Sequence, residues 1–391
     1  MLERLGVFIS CVIPSLLFYK LTRHSNTKPS NVILSAIVVL QLLIPLAFNG
    51  GGEMLDMAVV AFFSCYASFG MVRYMSDDSR QVEPFYKVLG RWNDRKGEQQ
   101  DKVRHNKEIQ TMRKDAIAWL GYALLIIIVS IPVMAFLDGF LRMCIEPLDV
   151  PYMTLLLTAP HHIPLKTLVY YAIAGTAFLM HVVFVPSFIQ LGYSIELLAR
   201  SWMGSQDMLR KRYSVIYAYV HSSPLFDRPW LSTSIHELWS RRWHQILRWA
   251  FEDIVYTPIC QAFPQYPDLG RIMGTMSVFA ISGFLHDYLL IAMFGYQEYM
   301  NQPGIAGFQT LFFLLQGVAT LISKKSFIGL PIWIARSLTY LYILYTVPLF
   351  IEPFLHIGLH RDAEMPGYPR FFDPHMGIVC PYGSRPFIQN M

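Results

Sequence analysis

Long apolar runs separated by short polar stretches dominate the chain. Residues 31–48, 54–72, 117–137 and 167–195 carry no charge near their middles, and a bilayer core takes about 20 mostly apolar residues per helix. Residues 5–19 form a shorter run. Glu3 precedes it, and the following Tyr19-Lys20-Leu21-Thr22 lacks a small-x-small cleavage site, so it reads as a membrane helix and not as a signal peptide. Residues 272–297, 304–323 and 326–351 complete the set, although they contain His286, Asp287 and Arg336. The pattern predicts an all-α polytopic membrane protein with about eight transmembrane helices.

Composition agrees with this pattern. Of 391 residues 54% are hydrophobic and 15% are charged, whereas an ordinary soluble domain has roughly 25% charged residues. Aromatic residues make up 15%, which excludes disorder. Cys11, Cys65, Cys144, Cys260 and Cys380 form no CxxC pair, so neither a disulfide framework nor a cysteine zinc site is written here. The formal net charge of +5 does not indicate a nucleic-acid binder, because the basic residues lie between apolar segments.

Lysine and arginine cluster after the first, third and seventh runs, as in Lys20 and Arg23, Arg91 to Lys114, and Lys324-Lys325. Cytoplasmic loops carry such an excess, so both termini are expected on the luminal side and residues 76–115 and 197–270 in the cytosol. The chain then divides into three N-terminal spans (1–75), a charged cytosolic loop (76–115) and a core (116–391). The core ends in a Pro/Gly-rich tail over 361–391 that cannot be helical throughout.

One polar segment stands out. Ser234-x-x-Glu237 has the form of a capping box and predicts a helix start at Ile235. Continued at the α-helical period, that helix puts Trp239, Trp243 and Ile246 on one stripe and His236, Ser240, His244 and Arg248 on the next. Glu237 and Arg241 fall at i,i+4, where an ion pair adds a few tenths of a kcal/mol. A polar stripe bordered by tryptophans fits a cytosolic helix anchored at the membrane interface. Against a mere anchor stands the density of Arg241, Arg242, His244, Gln245 and Arg248, which a bound anion would explain.

His286 lies near the centre of the sixth run. Arg, Lys or Asp at such depth costs about 2.5–3.5 kcal/mol on insertion scales, and ionisable residues there usually face a polar cavity. Ser282 and Gly283, four and three residues earlier, keep the surface beside the imidazole small enough for a ligand or another helix. Asp287 points about a quarter turn away, and an interhelical hydrogen bond is the simpler use of His286. His181 is explained by such a bond. His161-His162 and His356-x-x-x-His360 lack an obvious third ligand and no HExxH occurs, so no metal site is expected. P-loop, GxGxxG and GxSxG patterns are absent as well.

The stretch Pro224-Leu-Phe226, Pro229, Ser234, Leu238-Trp239-Ser-Arg241-Arg242-Trp243-His244-Gln245, followed by Ser282-Gly-Phe-Leu-His286 and Phe312-Phe313-Leu-Leu-Gln316-Gly317, resembles the wax-synthase-like branch of the membrane-bound O-acyltransferases. The pattern is most similar to fungal enzymes that acylate, commonly acetylate, hydroxyls of terpenoid and other secondary metabolites. Ser240 stands where that family usually has glycine, and Leu238 where it usually has phenylalanine. The resemblance covers roughly residues 222–320. It implies an acyl-CoA co-substrate (acetyl-CoA in the closest pattern), a hydrophobic hydroxylated acceptor, no bound cofactor and an endoplasmic-reticulum membrane. It also implies roles: His286 as general base, His244 at the thioester oxygen, and Arg241, Arg242, Arg248, Gln245 and Trp243 at the CoA moiety. No serine or cysteine sits beside a histidine in a nucleophile motif, so direct transfer without an acyl-enzyme is expected. Two other classes fit parts of the sequence. A transporter would use His286, Asp287 and Arg336 along a polar pathway, and a lipid-handling scaffold would use the tryptophan-rich helix as an anchor. Within the enzyme class, a long-chain wax-ester synthase is the main rival.

Overall fold

The computed structural model describes residues 2–24, 30–48, 54–76, 109–143, 151–203, 206–221, 226–243, 247–302, 305–326 and 329–359, and among these every regular element is helical. Nine long helices follow in order: α1 (Leu2–His24), α2 (Asn31–Ala47), α3 (Met54–Ser76), α4 (Ile109–Met143), α5 (Leu165–Met203), α6 (Gln206–His221), α7 (Pro267–Phe294), α8 (Phe308–Ser326) and α9 (Ile332–His356). All but α6 coincide with the eight apolar runs. Five helices are long and apolar enough to cross a membrane, and α1, α2 and α8 contribute shorter apolar stretches. The protein is thus an all-α polytopic membrane protein. Its outer surface agrees, since Ile117, Leu125, Ile128 and Val129 on α4 are exposed while Ala123 and Met134 on the same helix are buried. Lipid accepts this arrangement and water does not.

Two helices outrun their predicted lengths. With 35 and 39 residues, α4 and α5 reach about 52 and 58 Å at the α-helical rise, well beyond a bilayer core of about 30 Å. The surplus of α4 takes in residues 109–115, the end of a charged segment that reads equally as a solvated loop or a surface helix. Its buried stripe, Met112, Ala116 and Trp119, closes with Leu197 of α5 and with Leu209, Tyr213 and Ile216 of α6. Arg212 donates to both carboxylate oxygens of Glu196, at 2.8 Å each. Residues 77–108 and 360–391 lie outside the described residues, and with them most of the charged loop, His360 and the tail.

Polar groups inside the bundle are used to join helices. Gln41 of α2 is fully buried; its amide donates to the Cys11 carbonyl of α1 at 2.8 Å and to Ser64 Oγ of α3 at 3.1 Å. His181 of α5 lies 3.3 Å from Asp138 of α4, a close interhelical approach, and its Nδ1 bonds the Ala177 carbonyl of its own helix at 2.8 Å. Among the described residues no group of three His, Cys, Asp or Glu side chains could hold a metal ion.

The pair α7 and α8 forms the centre. A Cβ built on Gly283 would sit 2.5 Å from Thr310 Cα, so only glycine lets the two backbones approach this closely. Directly beyond, the buried Asp287 accepts hydrogen bonds from the backbone N–H of Thr310 at 3.3 Å and from its hydroxyl. On the other side α9 packs on α8, with the Gln309 amide donating to the Phe350 carbonyl at 3.0 Å.

Candidate active site

The site begins with a helix start that develops differently from expectation. Ser234 is extended (φ −159°, ψ 158°), and its Oγ accepts the Glu237 N–H at 3.0 Å, as a cap should. The Glu237 carboxylate reaches one residue further back than in a capping box. It accepts the Thr233 N–H at 2.8 Å and the Thr233 hydroxyl at 2.7 Å. After one α-helical turn, Ile235–Glu237, the chain widens over Leu238–Arg242 into a π turn, in which the Trp243 N–H donates to the Leu238 carbonyl at 2.8 Å. Trp243 is itself extended (φ −91°, ψ 146°), and Arg248–Ala250 is again α-helical. The predicted unbroken surface helix with two clean stripes is therefore corrected to a short turn that stops at Trp243.

The wider register changes the pairing. The i→i+5 register of the π turn places Arg242, and not Arg241, over Glu237. The Arg242 Nε and Nη2 atoms lie 2.8 and 2.7 Å from Glu237 Oε1. Burial would raise the Glu237 carboxyl; the Thr233 donors and the Arg242 guanidinium outweigh it and hold the group below the usual carboxylate range. Arg242 also donates to the Asp227 carbonyl at 3.1 Å, and the Asp227 N–H returns to the Arg242 carbonyl at 2.9 Å. The left-handed backbone of Arg228 (φ 44°, ψ 62°) makes the reversal into Pro229.

From this turn Trp239 points into the bundle. Its indole N–H donates to Gln316 Oε1 at 3.2 Å, and the fully buried Gln316 donates in turn to Thr346 Oγ1 of α9 at 3.0 Å. Around the indole stand Phe279 of α7 at 5.9 Å and Phe313 of α8 at 5.6 Å, centroid to centroid. Above it the His236 N–H donates to Ser323 Oγ at 3.0 Å. The turn thus lies along the C-terminal half of α8.

His286 enters the same aromatic cluster from α7. Its imidazole stacks on Phe313, with centroids 4.8 Å apart and planes 14° from parallel, and meets the edge of Phe350 of α9 at 5.1 Å. One ring, Phe313, touches both His286 and Trp239. Asp287 turns to Thr310, away from the imidazole, as the quarter-turn offset requires.

The remaining sequence-derived residues are distributed as follows. Trp243 packs between Phe226 at 5.0 Å and Trp239 at 5.4 Å. Arg241 is exposed. Arg248, also exposed, donates to the Ser240 carbonyl at 3.2 Å and lies 3.9 Å from Glu252. His244 and Gln245 lie outside the described residues. The N-terminal spans are tied to the same region through Arg73 of α3, which pairs with Asp253 at 3.0 Å and covers Trp249 at 5.3 Å.

Sequence reasoning assigned no role to Gln316, Phe313, Phe350 or Glu352. Glu352 is 1% exposed near the end of α9, and accepts the Tyr152 N–H at 2.8 Å and the Tyr171 hydroxyl at 3.4 Å. A carboxylate just past an apolar run was the signal available for it.

The comparisons with known proteins fall on this region. Residues 222–315, which hold both the π turn and His286, match the sequence model of the membrane bound O-acyl transferase family. The chain is 35% identical over 105 residues to "Probable long-chain-alcohol O-fatty-acyltransferase 8" of Arabidopsis thaliana, covering 26% of this chain and 29% of that protein. It is 28% identical over 148 residues to "Acyl-CoA--sterol O-acyltransferase 1" of the same plant, covering 36% of this chain and 41% of that protein. The chain therefore spans under half the length of these curated relatives.

Proposed function

We propose that the protein is a membrane-bound O-acyltransferase that moves an acyl group from acyl-CoA to a hydroxyl of a hydrophobic molecule, with His286 as the general base. The observation that carries this reading is the position of His286: an imidazole inside the bundle, walled by Phe313 and Phe350 and linked through Phe313 to the motif turn. Apolar walls suit a greasy acceptor, and an imidazole ring nitrogen is the usual side-chain base for a hydroxyl proton. In the reaction the acceptor oxygen attacks the thioester carbonyl carbon while His286 takes the hydroxyl proton. The tetrahedral intermediate then expels the CoA sulfur, which recovers that proton from the imidazolium. A donor at the carbonyl oxygen, the role assigned to His244, is worth about 2.7–4 kcal/mol in comparable sites. Arg241, Arg242, Arg248, Gln245 and Trp243 form the motif beside which the CoA moiety binds.

Acetyl-CoA and a terpenoid alcohol in an endoplasmic-reticulum membrane are the substrates and setting that the motif pattern favours. A long-chain donor is the second reading, and the relatives named for fatty-acyl transfer to long-chain alcohols support it. The relatives that the chain matches are named for acyl transfer, which favours an enzyme over a transporter. A chain-length series from acetyl-CoA to palmitoyl-CoA, read as free CoA released with and without added alcohols, tests the class and assigns the donor. Acceptor-dependent release identifies an O-acyltransferase; no release from any thioester contradicts it.

A further inference from the structure

The π turn sorts the basic residues of the motif into two groups. Arg242 is occupied by Glu237 and the Asp227 carbonyl, and Arg248 by the Ser240 carbonyl and Glu252. Both serve the fold of the segment. Arg241 is different: it stands five residues after His236, the same register that stacks Arg242 on Glu237, and its side chain is exposed. The bond from the His236 N–H to Ser323 Oγ, 3.0 Å, brings in the next residue of α8, the exposed Lys324. Three basic side chains from two elements therefore converge. Lys324 and Arg241 both act on His236, and together with burial, the larger effect, they push its imidazole below the usual histidine range.

Among the described residues no carboxylate pairs with Arg241 or Lys324, and Glu237, in the same turn as Arg241, is turned onto Thr233 and Arg242. The Nδ1 atom of His236 is buried without a hydrogen-bond partner. Gathering like charges without a counter-charge is unfavourable, and a bound anion relieves it. Position narrows the anion. Ser323, beside His236, and Phe313, stacked on His286, are ten residues apart on α8, about 15 Å at the helical rise. That separation is comparable with the reach of the extended phosphopantetheine arm of coenzyme A between its phosphate and its sulfur.

We propose that His236, Arg241 and Lys324 form the phosphate site of the acyl donor. Guanidinium and ammonium donors match phosphate oxygens, and the arm then runs past Trp239 toward His286. This inference rests on the acyl-CoA reading above. The same chemistry would also attract a phospholipid headgroup, so the test separates the two sources.

The full chain, in nanodiscs of phosphatidylcholine alone and in others containing phosphatidylserine, is titrated with coenzyme A and with pantetheine, which lacks the phosphates. Lys324→Gln and Arg241→Gln are each expected to weaken coenzyme A binding about tenfold in both lipids and to leave pantetheine unchanged. Lys324→Arg should restore affinity, and Arg271→Gln, an exposed cation elsewhere, should have no effect. In turnover, Lys324→Gln should raise KM for acyl-CoA with kcat nearly unchanged. Wild-type affinity in both glutamine variants overturns the site while leaving the acyltransferase reading intact. Weakening seen only with phosphatidylserine assigns the cluster to lipid headgroups and overturns it too. Failure of the wild type to bind coenzyme A or to turn over any thioester removes the reading of function itself.

Discussion

The imidazole of His286 lies face to face with the ring of Phe313, 4.8 Å between centroids and 14° from parallel. Stacking fixes the ring plane and leaves its nitrogen-bearing edge as the reactive direction. An aromatic pair contributes about 1 kcal/mol beyond buried area, roughly a fivefold effect. Phe313→Leu keeps an apolar wall and loses the stack. Its kcat should fall about fivefold at unchanged protein abundance; an unchanged kcat would show that the stack does not position the base.

Gly283 tests the close approach of α7 and α8. An added Cβ would meet Thr310 Cα at 2.5 Å, and backbone cannot yield as a flexible side chain can. Gly283→Ala should cost about 1–3 kcal/mol by overpacking. Gly121→Ala on α4, where a Cβ meets nothing within 4 Å, should be neutral or better. Thermal unfolding of the solubilised protein compares the two.

Gln316 holds Trp239 and Thr346 at once. Gln316→Leu orphans the half-buried indole N–H of Trp239, at about 1–3 kcal/mol for an unsatisfied group, while the Thr346 hydroxyl keeps the Tyr342 carbonyl as its acceptor at 2.9 Å. Trp239→Phe removes that orphan. A double-mutant cycle should therefore show coupling, with the second substitution costing less in the Gln316→Leu background. Strict additivity would mean that the two side chains do not share this bond.

Glu237 supplies a pH dependence. Its carboxyl is held below the usual range in the folded protein. Its contribution is therefore present above the unfolded-state value of about 4.3 and is lost as pH falls through the lower folded value. Wild type should melt above Glu237→Gln at pH 7, and the gap should close on acidification below about pH 4. A gap that persists unchanged into acid would place the effect of the substitution elsewhere.

The eight apolar helices were legible because each is encoded locally, in an uninterrupted run such as 31–48 or 117–137. The cap at Ser234 was legible for the same reason, being a contact within one turn. The pairing of Glu237 was not. The α-helical period points to Arg241, whereas the π turn that selects Arg242 depends on packing of Trp239 against α8 and on the clamp to Asp227. His286 stood out as a polar residue at depth, yet its neighbours Phe313 and Phe350 come from two other helices. Phe313 falls within the motif-like stretch 312–317, but in a sequence this rich in phenylalanine nothing distinguishes Phe350 from a lipid-facing ring. The extra turns of α4 and α5 were not fixed by the sequence because their polar, amphipathic ends fit a solvated loop or a surface helix alike once the apolar run stopped.

The central claim is that His286 removes the acceptor proton. Membranes holding equal amounts of wild-type protein or His286→Ala, supplied with acyl-CoA and a panel of fatty, sterol and terpenoid alcohols, are assayed for free CoA. The account predicts acceptor-dependent release by the wild type and a loss of about a hundredfold or more in the variant, the usual worth of a positioned base. Acceptor-dependent release that survives the substitution would contradict it.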